Sequence, residues 1–484
     1  MKWIPEAFDS VAREHSSRPA LFDEGSRWTF GELAAEIDNI AAALRSVPGD
    51  TVGILLLNSQ KYVTTLLGVW KAGKTAVPLN YLLPPQELAY IIKDSGMSAL
   101  ITSQFFAQAV AAVKPLFGDK GVILMADSPD FLRSGAASGP ASYRDPALYL
   151  YTSGTTGKPK GVVLTHRNLV HNVESCQIAG KFDSGESFLC LLPFFHTYAI
   201  TGTILLPLLN GCPMVLVDRF HPLKVLKLIE EHSISVFLAI PSMYRVLAHA
   251  EGDFNVRSVR FPISGGEPLP VATAEAFEKR FGVPIYEGYG QTEASPVISL
   301  NVPGNRKLGT VGPALPGVEI AIWDEGKNPV TADVVGEIMV RGPSVMQGYY
   351  NLPEETARTI TREWLHTGDL GKMDAEGFVT ITGRKKDLII SAGENIYPRE
   401  IEEVLAQHPK VKEVAVIGVT DEVRGEVPKA FVLPREEMTV DEKELRQFCR
   451  SNLAGYKVPK YIEIVADLPR TPTGKVLKRM LPRS

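Results

Sequence analysis

The chain has 484 residues, with 51 Lys+Arg against 55 Asp+Glu and a net charge of −4, a length that fits about two to four domains. So even a balance excludes the basic excess of a nucleic-acid binder. Apolar residues at 45% and charged residues at 22% describe a folded globular chain and exclude a disordered one.

The first fourteen residues, broken by Glu6, Asp9 and Glu14, have no apolar stretch that would make a secretory signal. From there to Arg384, short apolar runs at 52–57, 99–102, 122–125, 148–152, 214–217 and 236–240 alternate with amphipathic segments such as 32–44 and 223–232. That alternation predicts an α/β architecture with largely parallel sheets. Residues 318–323, 336–341 and 378–382, separated by Gly- and Asp-rich turns, read as strands of a smaller β-rich subdomain.

Residues 187–217 contain no Asp, Glu, Lys or Arg and are long enough to cross a bilayer. Pro193, Pro207, Pro213, Gly202, His196 and the Asn210-Gly211 pair break the run. It reads as a buried strand, a loop, a short core helix and another strand, fit to wall a cavity for an apolar ligand. Cys176, Cys190, Cys212 and Cys449 form no C-x-x-C pair; lone thiols of this kind suit a reducing, cytoplasmic compartment and no zinc site.

After Arg384 a second unit begins. Pro398 starts a helix with Ile401, Val404 and Leu405 on one face, and Pro409 stops it. Strands follow at 414–419 and 430–433, then a helix capped by Thr439 with Glu442, whose inner face carries Leu445, Phe448, Cys449 and Leu453. The expected division is therefore a large N-terminal domain, 1–385, and a small α+β C-terminal domain, 386–484.

The densest chemistry lies at Tyr151-Thr152-Ser153-Gly154-Thr155-Thr156-Gly157-Lys158-Pro159-Lys160-Gly161, directly after a buried strand. Its hydroxyls, its glycine-exposed N–H groups and its two lysines suit a polyphosphate. It is not a Walker A loop, because Lys158 is followed by Pro159.

This loop resembles the phosphate loop of the adenylate-forming (AMP-binding) superfamily, and the likeness continues in order along nearly the whole chain. The further segments are Tyr286-Glu287-Gly288-Tyr289-Gly290-Gln291-Thr292-Glu293, Trp364-Leu365-His366-Thr367-Gly368-Asp369-Leu370, Gly383-Arg384-Lys385-Lys386-Asp387, Ser391-Ala392-Gly393-Glu394-Asn395-Ile396-Tyr397-Pro398 and Pro469-Arg470-Thr471-Pro472-Thr473-Gly474-Lys475. The branch it is most like is the acyl-CoA synthetases, bacterial fatty-acid–CoA ligases among them. The resemblance implies two steps: a carboxylate attacks the α-phosphate of ATP, giving acyl-adenylate and pyrophosphate, and coenzyme A then displaces AMP.

It also implies roles. Lys475 would stabilise the adenylation transition state as a compact point charge. Glu293, with Thr156, would hold Mg²⁺, and Thr292 would touch the α-phosphate. Thr152, Ser153, Gly154, Thr155, Thr156, Gly157 and Lys158 would cradle phosphates. Gly266, Glu267, Pro268, Glu287, Gly288 and Tyr289 would surround adenine, while Asp369 would meet the ribose and Arg384 the ribose or a phosphate. His196, Tyr198, Ser242, Met243, Gly265 and Gly266 would line the acyl pocket, with Tyr244 beside them. Gly393 and Glu394 would admit the pantetheine arm, and Lys386 would be the pivot of a mobile C-terminal domain. No Arg or Lys in the pocket segments pairs a second carboxylate, so a fatty acid comes first and an aromatic acid second. A carrier-protein thiol is the alternative acceptor, and a luciferase-like oxygenase is a rival chemistry. The resemblance leaves room for a homodimer, and for control by a lysine acetyltransferase and deacetylase acting on Lys475.

Overall fold

The computed structural model describes residues 3–118, 121–128, 131, 145–153, 158–436, 438–470 and 476–483. These group into two compact units, 1–320 with 340–366, and 321–339 with 367–484. Residues 321–339 and 367–385, expected within the large domain, thus fall with the second unit by compactness. The expected pivot at Lys386 concerns rotation, which is a separate property.

The first unit holds two large sheets. In one, Tyr286–Gly290, Phe261–Ser264, Val236–Ala239, Phe188–Cys190, Met214–Leu216 and Pro19–Asp23 lie side by side and parallel, with antiparallel edge strands Val297–Leu300 and Ser26–Thr29. In the other, Leu148–Ser153, Thr75–Pro78, Thr51–Leu55, Ala99–Thr102 and Val122–Met125 are parallel, and Pro159–Leu164 and Gly348–Tyr349 extend the sheet antiparallel. The parallel strands read as continuous apolar runs because both their faces are covered: Val236, Phe237 and Ala239 have no exposed surface and Leu238 only 3%.

The uncharged stretch takes the form expected of it. Phe188–Cys190 and Met214–Leu216 are neighbouring buried strands, and the helical run between them, Thr197–Ala199, Ile200–Leu205 and Leu206–Leu209, includes a π-helical turn. Among the described residues no helix is long and apolar enough to cross a membrane.

Polar side chains fix the loops that leave this core. Asn58 donates from Nδ2 to Leu192 O (2.8 Å) and accepts from Phe194 N–H (2.9 Å), and Tyr62 OH donates to Phe194 O (2.9 Å), so the loop before His196 is held on two sides. Asn172 treats the other wall in the same way, donating to Val297 O (2.7 Å) and accepting from Val297 N–H (3.1 Å). Losing such a side chain leaves buried backbone groups unpaired, at about 1–3 kcal/mol each.

In the second unit, Asp369 lies opposite Arg384 in an antiparallel pair formed by Trp364–Met373 and Val379–Arg384. Gly368, at φ +68, lies inside the strand just before Asp369. A further sheet orders Glu394–Ile396, Ile389–Ser391, Gly425–Pro434 and Val411–Asp421, with Tyr461–Ile464 parallel on Gly425–Pro434. Helices Pro398–Ala406 and Glu442–Asn452 supply Ile401, Leu405, Leu445 and Cys449 to its core. The cap of the second helix differs from expectation. Asp441, not Thr439, accepts from Glu444 N–H at 2.8 Å, because the helix begins at Glu442 and Asp441 is the residue placed to reach a free first-turn donor.

His166, at the first position of the helix His166–Gly180, packs edge-on to Trp3 and Trp70, and its Nδ1 is buried without a partner among the described residues. Burial pulls its pKa down to about 3, whereas an unfolded imidazole titrates near ~6.5. Below that value the unfolded chain binds the proton and the folded chain does not, so stability falls as pH falls. Denaturant titrations should show a loss of about 2 kcal/mol between pH 7 and pH 5 from this group. His166→Phe should flatten that slope, and an unchanged slope in the variant would remove His166 as its source.

Candidate active site

Parallel strands that end on one edge deliver their loops to one place, the usual position of a ligand in an open α/β sheet. Phe188–Cys190, Val236–Ala239, Phe261–Ser264 and Tyr286–Gly290 are consecutive neighbours. Their loops carry, in turn, His196, then Ser242 and Met243, then Gly265 through Pro268, then Thr292 and Glu293. These candidates, scattered over about a hundred positions, are thereby brought to a single edge of the first unit.

The contacts there are specific. Thr197 Oγ1 donates to Thr292 Oγ1 at 3.2 Å, linking the His196 loop to the Thr292 turn. His196 is exposed and rests against Phe195, with ring centroids 4.6 Å apart. Tyr198 sends its hydroxyl to Ile263 O (3.4 Å), and burial holds its phenol far above the ordinary range. A Cβ on Gly265 would lie 3.1 Å from the Tyr198 ring and hydroxyl, a tight contact that the bare backbone avoids. Gly266 and Pro268 are exposed and Glu267 half-buried, while Ser242 and Met243 are half-buried at the start of Pro241–His249. Tyr244 is not a pocket wall: it is fully buried and donates to Ile263 O at 3.0 Å, because it lies on the core side of that helix.

Glu287 is buried, and its Oε1 accepts from Leu269 N–H (2.9 Å), clamping the Gly265–Pro268 loop to the neighbouring strand. Gly288 and Tyr289 follow on that strand, and Gln291 Nε2 donates to the Tyr289 hydroxyl at 3.2 Å. Glu293 is half-buried; its Oε1 accepts from Tyr349 OH at 2.9 Å. Burial, with the Glu293 carboxylate second, raises the Tyr349 phenol well above its ordinary value, so it is a donor at neutral pH.

The phosphate-type loop springs from the hairpin of Leu148–Ser153 and Pro159–Leu164, in which Thr152 pairs with Lys160 and Ser153 with Pro159. Gly154, Thr155, Thr156 and Gly157 lie outside the described residues, as does Lys475. Of the two lysines, Lys158 is exposed. Lys160 is not part of a cationic loop: it is buried, ion-paired with Glu355, and its Nζ lies 5.3 Å from the centroid of the Tyr349 ring.

In the second unit, Asp369 is buried and its Oδ1 lies 3.0 Å from Nε of exposed Arg384, so the two expected ribose contacts are adjacent. Lys385 pairs with Glu337 (2.9 Å), which also accepts from Gly368 N–H (3.3 Å). Lys386 is exposed in the short turn Lys385–Asp387. Gly393, at φ +87, forms with Ala392 (φ +50) the two-residue turn joining Ile389–Ser391 to Glu394–Ile396, and a Cβ there would meet nothing within 4 Å in its surroundings. Glu394 is exposed beside it.

Asn58, Asn172, Tyr349 and Glu355 were not legible as site supports. Their partners lie tens to well over a hundred positions away in sequence, and their residue types carry no spacing signal.

Comparison with known proteins places this arrangement. The family model for AMP-binding enzymes matches residues 8–350, and that for the AMP-binding enzyme C-terminal domain matches residues 400–475. The chain belongs to the AMP-binding enzyme family. It is 37% identical to a long-chain-fatty-acid–CoA ligase of Bacillus subtilis (strain 168), covering 98% of this chain and 92% of the relative. It is also 37% identical to a feruloyl-CoA synthase of an Amycolatopsis species, covering 96% of each. Among solved structures it resembles o-succinylbenzoate CoA synthetase of Bacillus subtilis in complex with its acyl-adenylate intermediate (TM-score 0.91, 32% identity, 99% and 98% coverage). The same enzyme in complex with ATP and a magnesium ion matches equally broadly (TM-score 0.90, 32% identity, 98% and 98% coverage).

Proposed function

We propose that the chain is an ATP-dependent acid–CoA ligase acting on a hydrophobic carboxylic acid, with a fatty acid the first reading and an aromatic acid the second. It forms an acyl-adenylate and pyrophosphate, then passes the acyl group to coenzyme A and releases AMP. The chemical class follows from the family and from relatives that are CoA ligases. The hydrophobic reading rests on one observation. The loop and helical run between Phe188–Cys190 and Met214–Leu216 are uncharged and carry buried Phe194 and Phe195, and Tyr198 turns its one polar atom to a backbone carbonyl. Residues 187–217 offer no Lys or Arg to receive a second carboxylate.

A carboxylate is a poor acyl donor because oxide does not leave; exchange for AMP removes that obstacle. The enzyme has to bring two anions together, which calls for positioning and fixed charge. On this reading Thr152 through Lys158 receive the phosphates, and Thr292 meets the α-phosphate from the turn that Thr197 braces. Gly266 through Pro268 and Glu287 through Tyr289 form the adenine surroundings, with Glu287 acting by holding the loop. Asp369 takes the ribose hydroxyls and Arg384 orients it, while His196 faces the substrate carboxylate. Lys475 brings the decisive ammonium, and Gly393 and Glu394 flank the thiol's approach once the C-terminal domain turns about Lys386.

Magnesium fits the donor set: Glu293 offers a hard carboxylate with one oxygen already anchored, and Mg²⁺ is typically held by one or two carboxylates plus substrate phosphates. Glu293, with Thr156, would hold it, and its charge would neutralise the phosphates. Four buried free thiols accord with a cytoplasmic setting.

Acid-dependent pyrophosphate release tests the reading. Long-chain fatty acids and hydroxycinnamates should both be tried, with and without coenzyme A, and short diacids should be inactive; preference for a diacid would overturn the hydrophobic reading. Lys475→Ala should slow pyrophosphate release by about 10²–10³ and largely spare thioester formation from supplied acyl-adenylate. Equal damage to both half-reactions would contradict its assigned role. Gly393→Leu should retain pyrophosphate release and lose thioester formation, with Gly393→Asn, which tolerates a positive φ, as the backbone control. Equal loss of both steps would assign Gly393 to the turn alone.

A further inference from the structure

Residues 346–350 are stitched to two elements at once. Met346 N–H donates to Glu293 O (2.8 Å), while Gln347 N–H donates to Val163 O (3.0 Å) and Tyr350 N–H to Gly161 O (2.7 Å). Gly348 and Tyr349 pair with Val163 and Val162, on the strand that returns from the phosphate-type loop. The backbone alone therefore already fastens this segment to the Glu293 turn. The Tyr349 hydroxyl adds a bond to Glu293 Oε1 at 2.9 Å, and it also hydrogen-bonds the Thr359 side chain, at the end of the helix Pro353–Thr359.

That bond is not needed to satisfy Glu293. The carboxylate is half-buried, and water can solvate it at little cost. A glutamate free to rotate, however, loses side-chain entropy when it is fixed. A carboxylate already held in one orientation avoids that loss when it binds a cation. Oε2 has no hydrogen-bond partner among the described residues. One oxygen is anchored and the other is left to coordinate.

The ring that carries the hydroxyl is itself held. Lys160 Nζ lies 5.3 Å from its centroid and is ion-paired with Glu355, and Tyr349 N–H donates to Thr356 Oγ1 at 2.8 Å. The chain of contacts runs from the helix Pro353–Thr359 through Lys160 and Tyr349 to the Glu293 carboxylate.

We infer that Tyr349 is a positioning residue: its hydroxyl presets the Glu293 carboxylate for a divalent cation and locks it to the strand that returns from the phosphate-type loop. The inference rests on Glu293 being the acid that holds the cation.

The test compares Tyr349→Phe, which keeps the ring and removes the hydroxyl, with Glu293→Gln. Calorimetric titration measures affinity for ATP in EDTA and for Mn²⁺·ATP, and thermal melting follows folding. In Tyr349→Phe the gain in ATP affinity conferred by Mn²⁺ should fall about tenfold, the scale for losing a partner that orients a metal ligand. Affinity in EDTA and the melting temperature should stay as in the native chain. The Mg²⁺ needed for half-maximal pyrophosphate release should rise by the same factor with the KM for the acid unchanged. If Glu293→Gln abolishes the Mn²⁺ gain and Tyr349→Phe leaves it intact, the inference is overturned and the metal assignment stands. If Tyr349→Phe lowers only the melting temperature, the hydroxyl belongs to folding and the inference again fails. If Glu293→Gln keeps the full gain, the metal assignment fails and takes the inference with it.

Discussion

Four neighbouring parallel strands, Phe188–Cys190, Val236–Ala239, Phe261–Ser264 and Tyr286–Gly290, constrain everything else in the first unit. The first three are buried and almost wholly apolar, so the chemistry falls to the loops at their ends and to the last strand, which carries Glu287 and Tyr289. Register then decides which loop meets which. Because Ser264 lies opposite both Ala239 and Glu287, the glycine pair after the first and the Thr292 turn after the last leave the sheet close together. Without a side chain, Gly265 approaches Tyr198 with no tight Cβ contact.

Loops are otherwise free to move, and here a few buried polar side chains hold them. Asn58 grips the His196 loop, Asn172 grips the Glu293 turn, Glu287 grips the Gly265–Pro268 loop, and Tyr349 holds the Glu293 carboxylate itself. The first three make hydrogen bonds that would be costly to leave unmade in the interior, so each acts as a fixed strut, whereas the Tyr349 bond orients a half-buried carboxylate. This suits a reaction between two anions, where most of the barrier reduction has to come from groups already in place. The second unit repeats the device on a smaller scale, with Asp369 held opposite Arg384 across one strand pair.

The lysines show how composition can mislead. Lys158 and Lys160 are two residues apart and look equivalent in a loop rich in hydroxyls. Alternation along a strand sends neighbours of that spacing to the same face only while both are within it; Lys158 precedes Pro159–Leu164 and stays exposed, while Lys160 lies inside it and is buried against Glu355. The cap at Asp441 is a similar case: Thr439 and Glu442 have the spacing of a capping box, but the helix starts two residues later than that pattern requires.

The sequence by itself determined the α/β character, the apolar strands it marked before Arg384 within a residue or two, and the fate of the uncharged stretch as strand, helical run and strand; Phe261–Ser264 and Tyr286–Gly290 were not marked as strands. It also determined the family, through six segments in order. These are local properties: hydrophobic period, turn residues and short motifs are written within a dozen positions. Only the tertiary structure decided which side chains hold the motifs in place, that Tyr244 belongs to the core, and that Lys160 is spent on Glu355 rather than offered to the loop. Those outcomes depend on partners far away in the chain, such as Tyr349 for Glu293 and Asn58 for Phe194. No local pattern records such a partnership, because it exists only once strand order and register have brought the two together.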